Sequence, residues 1–396
     1  MSEWQELPIS EVVELIGGGT PKTTVFDYWN GNIPWLSVVD FNTGHKYVTD
    51  TEKKITSAGL ANSSTKMLNA GDVILSARGT VGAIAVLSKP MTFNQSCYGL
   101  RGVANKSKTA FIYYLVKDAV AGLQQISHGG VFDTITKDTF KSITLPIPPL
   151  EEQKAIASVL SSLDDKIDLL HRQNTTLERM AETLFRQWFV EEAHEDWEEK
   201  PLGDVIETTS GGTPSRSNMD FYVNGSINWV KSKELSGSFI LDTEEKITTE
   251  ALKKSSAKLL PKNSVLIAMY GATVGEYAII SKEMTCNQAV CALKPSEKYP
   301  YTFLFLYVKS YQDELINMAV GSAQQNISQL LIKQLPVPTC YEKISEFHQK
   351  TEPFFEKIKN NILQIQTLEK LRDNLLPKLM SGDVRVVLQA ESALNA

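Results

Sequence analysis

The sequence has few cysteines, no long apolar run and no excess of positive charge. Cys97, Cys286, Cys291 and Cys340 form no Cys-x-x-Cys pair and have no histidine partners nearby, which argues against a zinc site or a disulfide framework. No segment reaches the roughly 18 consecutive apolar residues of a membrane span. Residues 1–15 carry glutamates where a secretory signal needs a basic end and an apolar run. We therefore expect a cytoplasmic protein with no membrane partner and with reduced, mostly buried thiols.

The charge balance argues mildly against a nucleic-acid ligand. The chain of 396 residues carries a net charge of −6, whereas DNA phosphates are neutralised by clustered Lys and Arg. The sum hides the distribution, because several basic residues lie in or near predicted loops: Arg78, Arg101, Arg216, Lys231 and Lys233. The length indicates two or three domains, since single cores stop growing near ~250 to 300 residues.

The sequence contains an internal duplication. Short segments recur in the same order, each about 190 to 194 residues from its copy. The pairs are residues 18–21 with 211–214, 33–35 with 227–229, 51–56 with 243–248, 79–82 with 272–275, 88–95 with 281–288, and 145–148 with 335–338. A period this long indicates a repeated domain rather than a solenoid unit.

Each copy is predicted to contain a globular part followed by a long helix. In the first copy, residues 72–78 and 82–88 have the pattern of two strands joined by a Gly-Thr-Val turn. Residues 264–270 and 275–281 repeat that pattern. Shorter helices, which complete an α+β domain, are predicted over 109–123 and 301–318.

The two long helices carry the spacing of a coiled-coil seam. In the first, apolar residues recur at alternating steps of four and three, and Asn174 is the one polar position. The second is poorer, with Thr351 and Arg372 as weak positions. An antiparallel alignment that places Ile156 opposite Leu379 and Trp188 opposite Phe347 also places Asn174 opposite Asn361. A buried Asn pair of this kind would fix register. Alternatively, the helices are offset by a heptad and both amides are solvated.

The expected fold class is α+β, with two pseudo-symmetric globular domains separated by two long antiparallel helices that form an intramolecular coiled coil. The helical segment from Ile156 to Trp188 would be roughly 48 Å long at ~1.5 Å per residue, or roughly 14 base pairs of DNA at ~3.4 Å each. The expected boundaries are 1–148 for the first globular domain, 149–192 for the first helix, 193–339 for the second domain, 340–381 for the second helix, and 382–396 for a C-terminal tail.

Taken together, these features resemble the specificity subunits of type I restriction-modification systems. The resemblance rests on Gly-Gly-Thr-Pro, a Trp about 14 residues later, Arg-Gly-Thr-Val-Gly at 78–82, Asn-Gln at 94–95 and Leu-Pro-x-Pro-Pro-x-Glu-Glu-Gln at 145–153. It also rests on the duplication, the paired long helices and the ending Leu-Leu-Pro-Lys-Leu-Met-Ser-Gly at 375–382. Two departures are His128-Gly129-Gly130 in the first copy and Tyr270 in place of Arg78 in the second.

The resemblance implies that each globular domain is a target recognition domain that reads one half of a bipartite DNA site, with the helices as conserved spacers. It also implies assembly with two modification subunits and with restriction subunits. S-adenosylmethionine, ATP and Mg are then expected on those partners, and no cofactor, metal or catalytic residue is expected in this chain. The sequence agrees, since it contains no methylase Asn-Pro-Pro-Tyr motif and no phosphate-binding loop.

The candidate DNA contacts of the first domain follow its glycine turn and its hairpin. Thr20 and Lys22 are placed to hold backbone oxygens, unless they belong to a solvated loop. Arg78 and Thr80 lie at the hairpin turn, where an Arg pairs with guanine or phosphate, or else forms a structural salt bridge. The glycines before Thr20 either admit a phosphate or are only a turn.

In the second domain the corresponding candidates are Thr213, Arg216, Tyr270 and Thr273. Lys231 and Lys233 form a basic loop after Trp229, which we expect to be a core residue like Trp35. Gln324, Gln325 and Asn326 form a polar loop with base-reading potential, and His128 and Asp133 occupy the equivalent segment of the first domain. Asn94-Gln95 and Asn287-Gln288 recur in both copies, which favours a structural role over base reading.

A second hypothesis remains open from the residues alone. The coiled coil would then join two chains, and the globular domains would bind protein or RNA. A hydrolase or nuclease acting by itself is disfavoured, because the sequence reveals no convincing cluster of carboxylates or histidines.

Overall fold

The computed structural model describes residues 4–126, 134–194, 196–320 and 326–386. Two compact units divide the chain: the first comprises Met1–Leu169 and Ile365–Ala396, and the second comprises Leu170–Gln364. Each unit contains one copy of the duplicated domain with the parts of the long helices that pack on it. The expected α+β fold class with two repeated sheet domains is confirmed.

The first unit contains three small sheets. Its strands are β1 Gln5–Pro8, β2 Val13–Gly17, β3 Trp29–Leu36, β4 Tyr47–Val48, β5 Lys53–Ile55, β6 Val73–Ser76, β7 Ile84–Leu87, β8 Thr92–Phe93, β9 Cys97–Gly102 and β10 Thr144–Ile147. They form a five-stranded sheet in the order β2-β9-β6-β7-β4, a three-stranded sheet β5-β3-β8 and a pair β1-β10. Its helices are α1 Ile9–Val12, α2 Val38–Phe41, α3 Ser57–Ala61, α4 Thr109–Ile126, α5 Lys137–Ser142 and the start of α6 Leu150–Arg186.

The second unit repeats this arrangement. Its strands are β11 Glu199–Pro201, β12 Thr208–Ser210, β13 Ile227–Val230, β14 Phe239–Ile240, β15 Lys246–Ile247, β16 Val265–Ala268, β17 Tyr277–Ile280, β18 Thr285–Cys286, β19 Val290–Leu293 and β20 Pro336–Pro338. The sheet orders β12-β19-β16-β17-β14, β15-β13-β18 and β11-β20 match those of the first unit. Its helices are α7 Leu202–Val205, α8 Thr249–Lys254, α9 Tyr301–Ser310, α10 Gln312–Val320, α11 Gln329–Gln334 and the start of α12 Tyr341–Ser381.

The five-stranded sheet is buried on both faces. In β6, Val73 and Leu75 belong to the apolar cluster that includes α4, whereas Ile74 belongs to the cluster beneath the three-stranded sheet. This alternation follows from the period of two along a strand. The central strands therefore consist almost wholly of apolar residues, and only the loops at their ends carry polar groups.

The long helices pair in the antiparallel direction within each unit. In the first unit Ile156 and Leu379 belong to one buried cluster. In the second, the rings of Trp188 and Phe347 lie 5.9 Å apart, between centroids. α6 ends in a π-helical turn at Gln187–Glu191, close to the expected boundary at 192. The seam is therefore intramolecular. The alternative in which the coiled coil joins two chains is no longer needed to explain the seam pattern.

Asn174 and Asn361 meet inside the seam of the second unit. The Asn361 amide donates a hydrogen bond of 2.8 Å to the Asn174 side-chain oxygen, and both side chains are buried. The alternative with two solvated amides does not occur. That this layer fixes the register remains a prediction.

Arg372 is not the weak position that the seam pattern suggested. Its guanidinium donates a 2.9 Å hydrogen bond to Asp164, which also accepts a 2.6 Å hydrogen bond from the Tyr114 hydroxyl. The buried Asp164 carboxylate is therefore neutralised and hydrogen-bonded within the first unit. An apolar heptad template misses this pair because Asp164 lies next to the seam position Leu163, and it misses Tyr114 because that residue comes from α4.

Candidate nucleic-acid interface

In each unit, several of the predicted contact residues lie in loops at the ends of three neighbouring strands of the five-stranded sheet. In the first unit β2 ends opposite Tyr98 and β6 ends opposite Cys97, so the loops that follow these strands adjoin the loop before β9. This loop edge consists of residues 18–22, 77–80 and 94–96. The equivalent loop edge of the second unit consists of residues 211–215, 269–273 and 287–289.

A side-chain hydrogen bond links two of these loops in both units. The Thr20 hydroxyl donates to the side-chain amide oxygen of Gln95, and the Thr213 hydroxyl donates to the side-chain amide oxygen of Gln288. These two threonines, which were predicted to hold DNA backbone oxygens, are thus engaged within the protein. The glutamine side chains remain exposed.

The asparagine of each Asn-Gln pair continues the strand pairing of the three-stranded sheet, at the start of the loop that leads to the five-stranded sheet. The Asn94 N–H donates to the Leu36 carbonyl at 3.0 Å, and the Asn287 N–H donates to the Val230 carbonyl at 2.9 Å. Each asparagine side-chain oxygen accepts a 3.1 Å hydrogen bond from the backbone two residues later. These contacts support the structural role that the recurrence of the pair suggested.

The glycines of the turn are needed for close packing. A Cβ on Gly18 would lie 2.1 Å from the Asn94 carbonyl oxygen, so only glycine fits there. The Gly19 N–H donates to the Phe93 carbonyl, and the Gly212 N–H donates to the Cys286 carbonyl, each at 2.9 Å. These amides are not available to a phosphate, and the turn interpretation is the better one.

Trp35 and Trp229 are core residues, as expected. Both are buried, and each indole N–H donates a 3.0 Å hydrogen bond to the carbonyl of the second turn glycine, Gly19 or Gly212. The tryptophans therefore hold the turn against the three-stranded sheet, where they cannot stack on a base.

Arg78 is the exposed cation of the first loop edge. It lies opposite Thr134 in an isolated β-bridge, and the Ile135 N–H donates a 2.9 Å hydrogen bond to the Ala77 carbonyl. Within residues 4–126, 134–194, 196–320 and 326–386, its guanidinium makes no hydrogen bond or ion pair. Its role as a DNA contact remains a prediction, as does the alternative of a structural salt bridge. Thr80 is exposed in the turn that follows Gly79, whose φ is +78°.

Tyr270 is the counterpart of Arg78 in the second unit. Its side chain is 43% exposed and lies opposite Asn326 in an equivalent β-bridge. Thr273 donates a 3.3 Å hydrogen bond to the Tyr270 carbonyl. The fold thus brings together Tyr270 and Asn326, two predicted contacts that are far apart in sequence. Gln324, Gln325, His128 and Asp133 lie outside the described residues.

The basic residues of the second unit are paired with carboxylates. Arg216 lies 2.6 Å from Glu245, and its guanidinium sits over the ring of Tyr222. Lys231 contacts Glu245 at 2.8 Å and Glu244 at 3.1 Å. The Arg216 hydrogen bond, followed by that of Lys231, lowers the pKa of the Glu245 carboxyl. Both cations are therefore paired with carboxylates of the same unit.

Lys233 and Lys22 differ from Lys231 in exposure. Lys233 is paired with Glu244 at 2.7 Å but its side chain is 59% exposed, against 16% for Lys231. Lys22 is exposed, and its carbonyl accepts a 3.2 Å hydrogen bond from the Trp29 indole. Of the predicted cations, Arg78 and Lys22 offer the most accessible charge.

The described part of the chain contains no group of three or more His, Cys, Asp or Glu residues placed to hold a metal ion. Among the helices in that part, none combines the length with the hydrophobicity that a bilayer-spanning segment requires.

Two copies of one α+β domain, with shared scaffolding contacts and different exposed side chains at the same edge, define a tandem recognition protein. The chain belongs to the type I restriction modification DNA specificity domain family, whose model matches residues 1–179 and 194–367. Specificity subunits of this kind are the non-catalytic DNA-recognition subunits of type I systems.

Individual relatives agree with this assignment. The type I restriction enzyme MjaIX specificity subunit of Methanocaldococcus jannaschii is 30% identical over 413 residues, covering 97% of this chain and 94% of that protein. The HindI specificity subunit of Haemophilus influenzae is 26% identical, covering 65% of this chain and 72% of that protein. The crystal structure of a type I S subunit from M. genitalium shares the fold, with a TM-score of 0.61, 16% identity and coverage of 95% and 96% of the two chains.

Proposed function

We propose that this specificity subunit reads a bipartite DNA target, with residues 1–148 reading one half and residues 193–339 the other. It also acts as the scaffold for two modification subunits and for restriction subunits. S-adenosylmethionine, ATP and Mg belong to those partners, and the complex works in the cytoplasm, where its DNA is found.

The contrast between Arg78 and Tyr270 carries this proposal. Arg78 follows β6 and Tyr270 follows β16, which are equivalent strands of the two five-stranded sheets. Each loop edge is also held by an equivalent Thr–Gln hydrogen bond. A shared scaffold with different exposed side chains is what two domains need to read different sequences. Arg pairs with guanine, whereas an asparagine such as Asn326 pairs with adenine.

The net negative charge of the chain and the pairing of two predicted cations support a role for partner subunits in DNA binding. The chain has a net charge of −6, and Arg216 and Lys231 are neutralised by Glu244 and Glu245. Phosphate contacts supply most of the affinity in protein–DNA complexes. We therefore expect the modification subunits to supply much of the phosphate contact, while this chain supplies the selectivity.

A domain exchange tests the proposal. Residues 1–148 are replaced by the same region of another type I specificity subunit, and N6-methyladenine is mapped in cells that also express the modification subunits. We expect one half of the methylated sequence to change and the other half to stay. The matched exchange of residues 193–339 should change the opposite half. A change in both halves, or in neither, would contradict the proposal.

A further inference from the structure

Both units expose a large apolar side chain at the same loop position. Phe26 is 86% exposed and Met219 is 61% exposed. Each is the first residue of a short 3₁₀ turn, Phe26–Tyr28 or Met219–Phe221. Each follows the Gly-Gly-Thr-Pro turn by the same number of residues in the sequence.

The chain holds these two turns in the same way. The N–H of the third turn residue donates to the carbonyl just before the turn, from Tyr28 to Val25 and from Phe221 to Asn218. The carbonyl of that third residue accepts from Thr56 at 3.0 Å in the first unit and from Thr248 at 2.9 Å in the second. The exposed side chains therefore stand on a fixed backbone.

The two turns begin at the loop edges. In the first unit, the segment that carries Phe26 follows directly after loop-edge residues Thr20 and Lys22. The Trp29 indole N–H donates a 3.2 Å hydrogen bond to the Lys22 carbonyl. In the second unit, the segment that carries Met219 follows the loop edge at Thr213. The Tyr222 hydroxyl donates a 2.6 Å hydrogen bond to the Pro214 carbonyl. The apolar tips thus lie on the same loops as two predicted backbone contacts.

A single exposed apolar residue is ordinary in a soluble protein. Two at one equivalent position are not explained by packing, because neither side chain is covered in its own unit. Among the described apolar side chains that are more than half exposed, no other pair recurs in this way: Val39 corresponds to Lys233, and Leu330 corresponds to Asp138. Met67 and Leu259 are also equivalent, but their side chains are only 39% and 44% exposed. The recurrence points to a task that both domains share.

On this basis, and resting on the proposed DNA-reading function, we propose that Phe26 and Met219 are wedges that insert between adjacent base pairs, one in each half-site. Phe and Met are among the side chains that proteins use to unstack a base step and kink the duplex. A wedge is tolerant of sequence because every base has an apolar face. It therefore suits a position whose character is shared while the reading residues differ.

The test uses the full chain with its modification subunits and a duplex that contains the target mapped by methylation. 2-Aminopurine, which fluoresces when unstacked, replaces one base at a time in each half-site, excluding the adenine that is methylated. We expect one bright position per half-site in the native complex. Phe26→Ala should abolish the signal in the half read by residues 1–148, and Met219→Ala should abolish it in the other half. Each should weaken binding about tenfold to a hundredfold.

Exchanged and control variants make the result specific. Phe26→Met and Met219→Phe keep an apolar wedge and should retain both signals. Val39→Ala and Leu330→Ala remove an exposed apolar side chain elsewhere and should change neither signal nor affinity. Weaker binding with the bright positions unchanged would overturn the wedge in favour of a contact in the groove. Unchanged binding by Phe26→Ala and Met219→Ala would overturn any role for these side chains in DNA contact.

Failure of the wedge is distinguishable from failure of the proposed function. Normal bipartite methylation without a bright position would remove only the wedge. Absence of any half-site change in the domain exchange would remove the DNA-reading proposal itself, whatever the fluorescence shows.

Discussion

Arg78 has the accessibility that a DNA contact needs, and its charge has no partner in the part of the chain that the structure describes. Replacing it by Ala should weaken binding to the first half-site by about 1–3 kcal/mol and relax the sequence requirement at one position there, since a guanidinium that pairs with a base carries that much discrimination. Binding is measured by titration of the complex with DNA, and specificity by methylation mapping. A uniform loss across sequences, with a shallower salt dependence, would assign Arg78 to a phosphate instead.

Lys231→Ala is the matched control for Arg78→Ala. The Lys231 ammonium is committed to Glu244 and Glu245 and its side chain is only 16% exposed. We expect its loss to leave the methylated sequence unchanged. A relaxed second half-site in Lys231→Ala would show that the ion pairs open when DNA binds.

Some residue roles followed from the sequence and others depended on the fold. The recurrence of Asn94-Gln95 favoured a structural role, because a residue common to two readers serves both, and the hydrogen bonds of the two asparagines agree with that interpretation. The ion pairs of Arg216 and Lys231 were missed because their partners come from the segment before β15, which only the β13–β15 pairing brings near. The sequence did not indicate Phe26 or Met219, since exposure of an apolar residue depends on what the rest of the domain covers.

At the scale of elements, the asparagine layer of the long helices gives a test of register. Asn361→Leu would leave the buried Asn174 amide without its 2.8 Å partner, at a cost of about 1–3 kcal/mol in the free energy of unfolding. Asn174→Leu combined with Asn361→Leu replaces the pair by apolar contact and should be more stable than the single variant. Urea unfolding midpoints measure both. If the double variant is less stable than the single variant, the Asn layer stabilises the seam beyond satisfying its own hydrogen bonds.

The ion pair of Arg372 and Asp164 predicts a larger effect than an ordinary seam position. Arg372→Met leaves the buried Asp164 carboxylate without its cation, which costs about 3–5 kcal/mol for a pair of this kind. Lys370→Met, an exposed position on the same helix, is the control and should change little. The measurement is the urea unfolding transition. Equal transitions for the two variants would mean that the Tyr114 hydroxyl alone satisfies Asp164.

In the second unit, the long-helix position equivalent to Asp164 makes aromatic contacts instead of an ion pair. Phe355 contacts Phe305 at a centroid distance of 5.5 Å and Phe239 at 6.4 Å, at the place on α12 that corresponds to Asp164 on α6. Sequence periodicity found both helices to within a few residues, because it depends on local spacing. It could not show whether this position of each helix makes charged or aromatic contacts, since that depends on side chains from α4 in the first unit and from β14 and α9 in the second.

At the scale of the whole chain, the duplication was the most informative feature of the sequence. It predicted two domains with one architecture, and the two units have the same sheet order. That order itself was not predictable from local patterns. The edge strands Tyr47–Val48 and Phe239–Ile240 have only two residues each and pair in parallel with distant strands, so they carry no alternation that a sequence pattern can detect.

The idea that the long helices set the spacing of a bipartite target can be tested by lengthening both. α6 passes from the first unit to the second between Leu169 and Leu170, and α12 returns between Gln364 and Ile365. One heptad inserted at each crossing preserves the seam, because seven residues complete two turns of an α-helix in a coiled coil, and adds ~10 Å of helix. At ~3.4 Å per base pair, the gap between methylated half-sites should grow by about three base pairs.

Insertion in one helix alone is the matched control for this experiment. It moves the Asn174–Asn361 layer and the Ile156–Leu379 layer out of register with each other, so that both cannot form along continuous helices, and it should abolish methylation. In the double insertion the register is restored, so either a longer gap or loss of methylation by a folded complex is consistent with a spacer. An unchanged gap is not, because helices that merely connected the two readers would leave the distance between half-sites to other contacts.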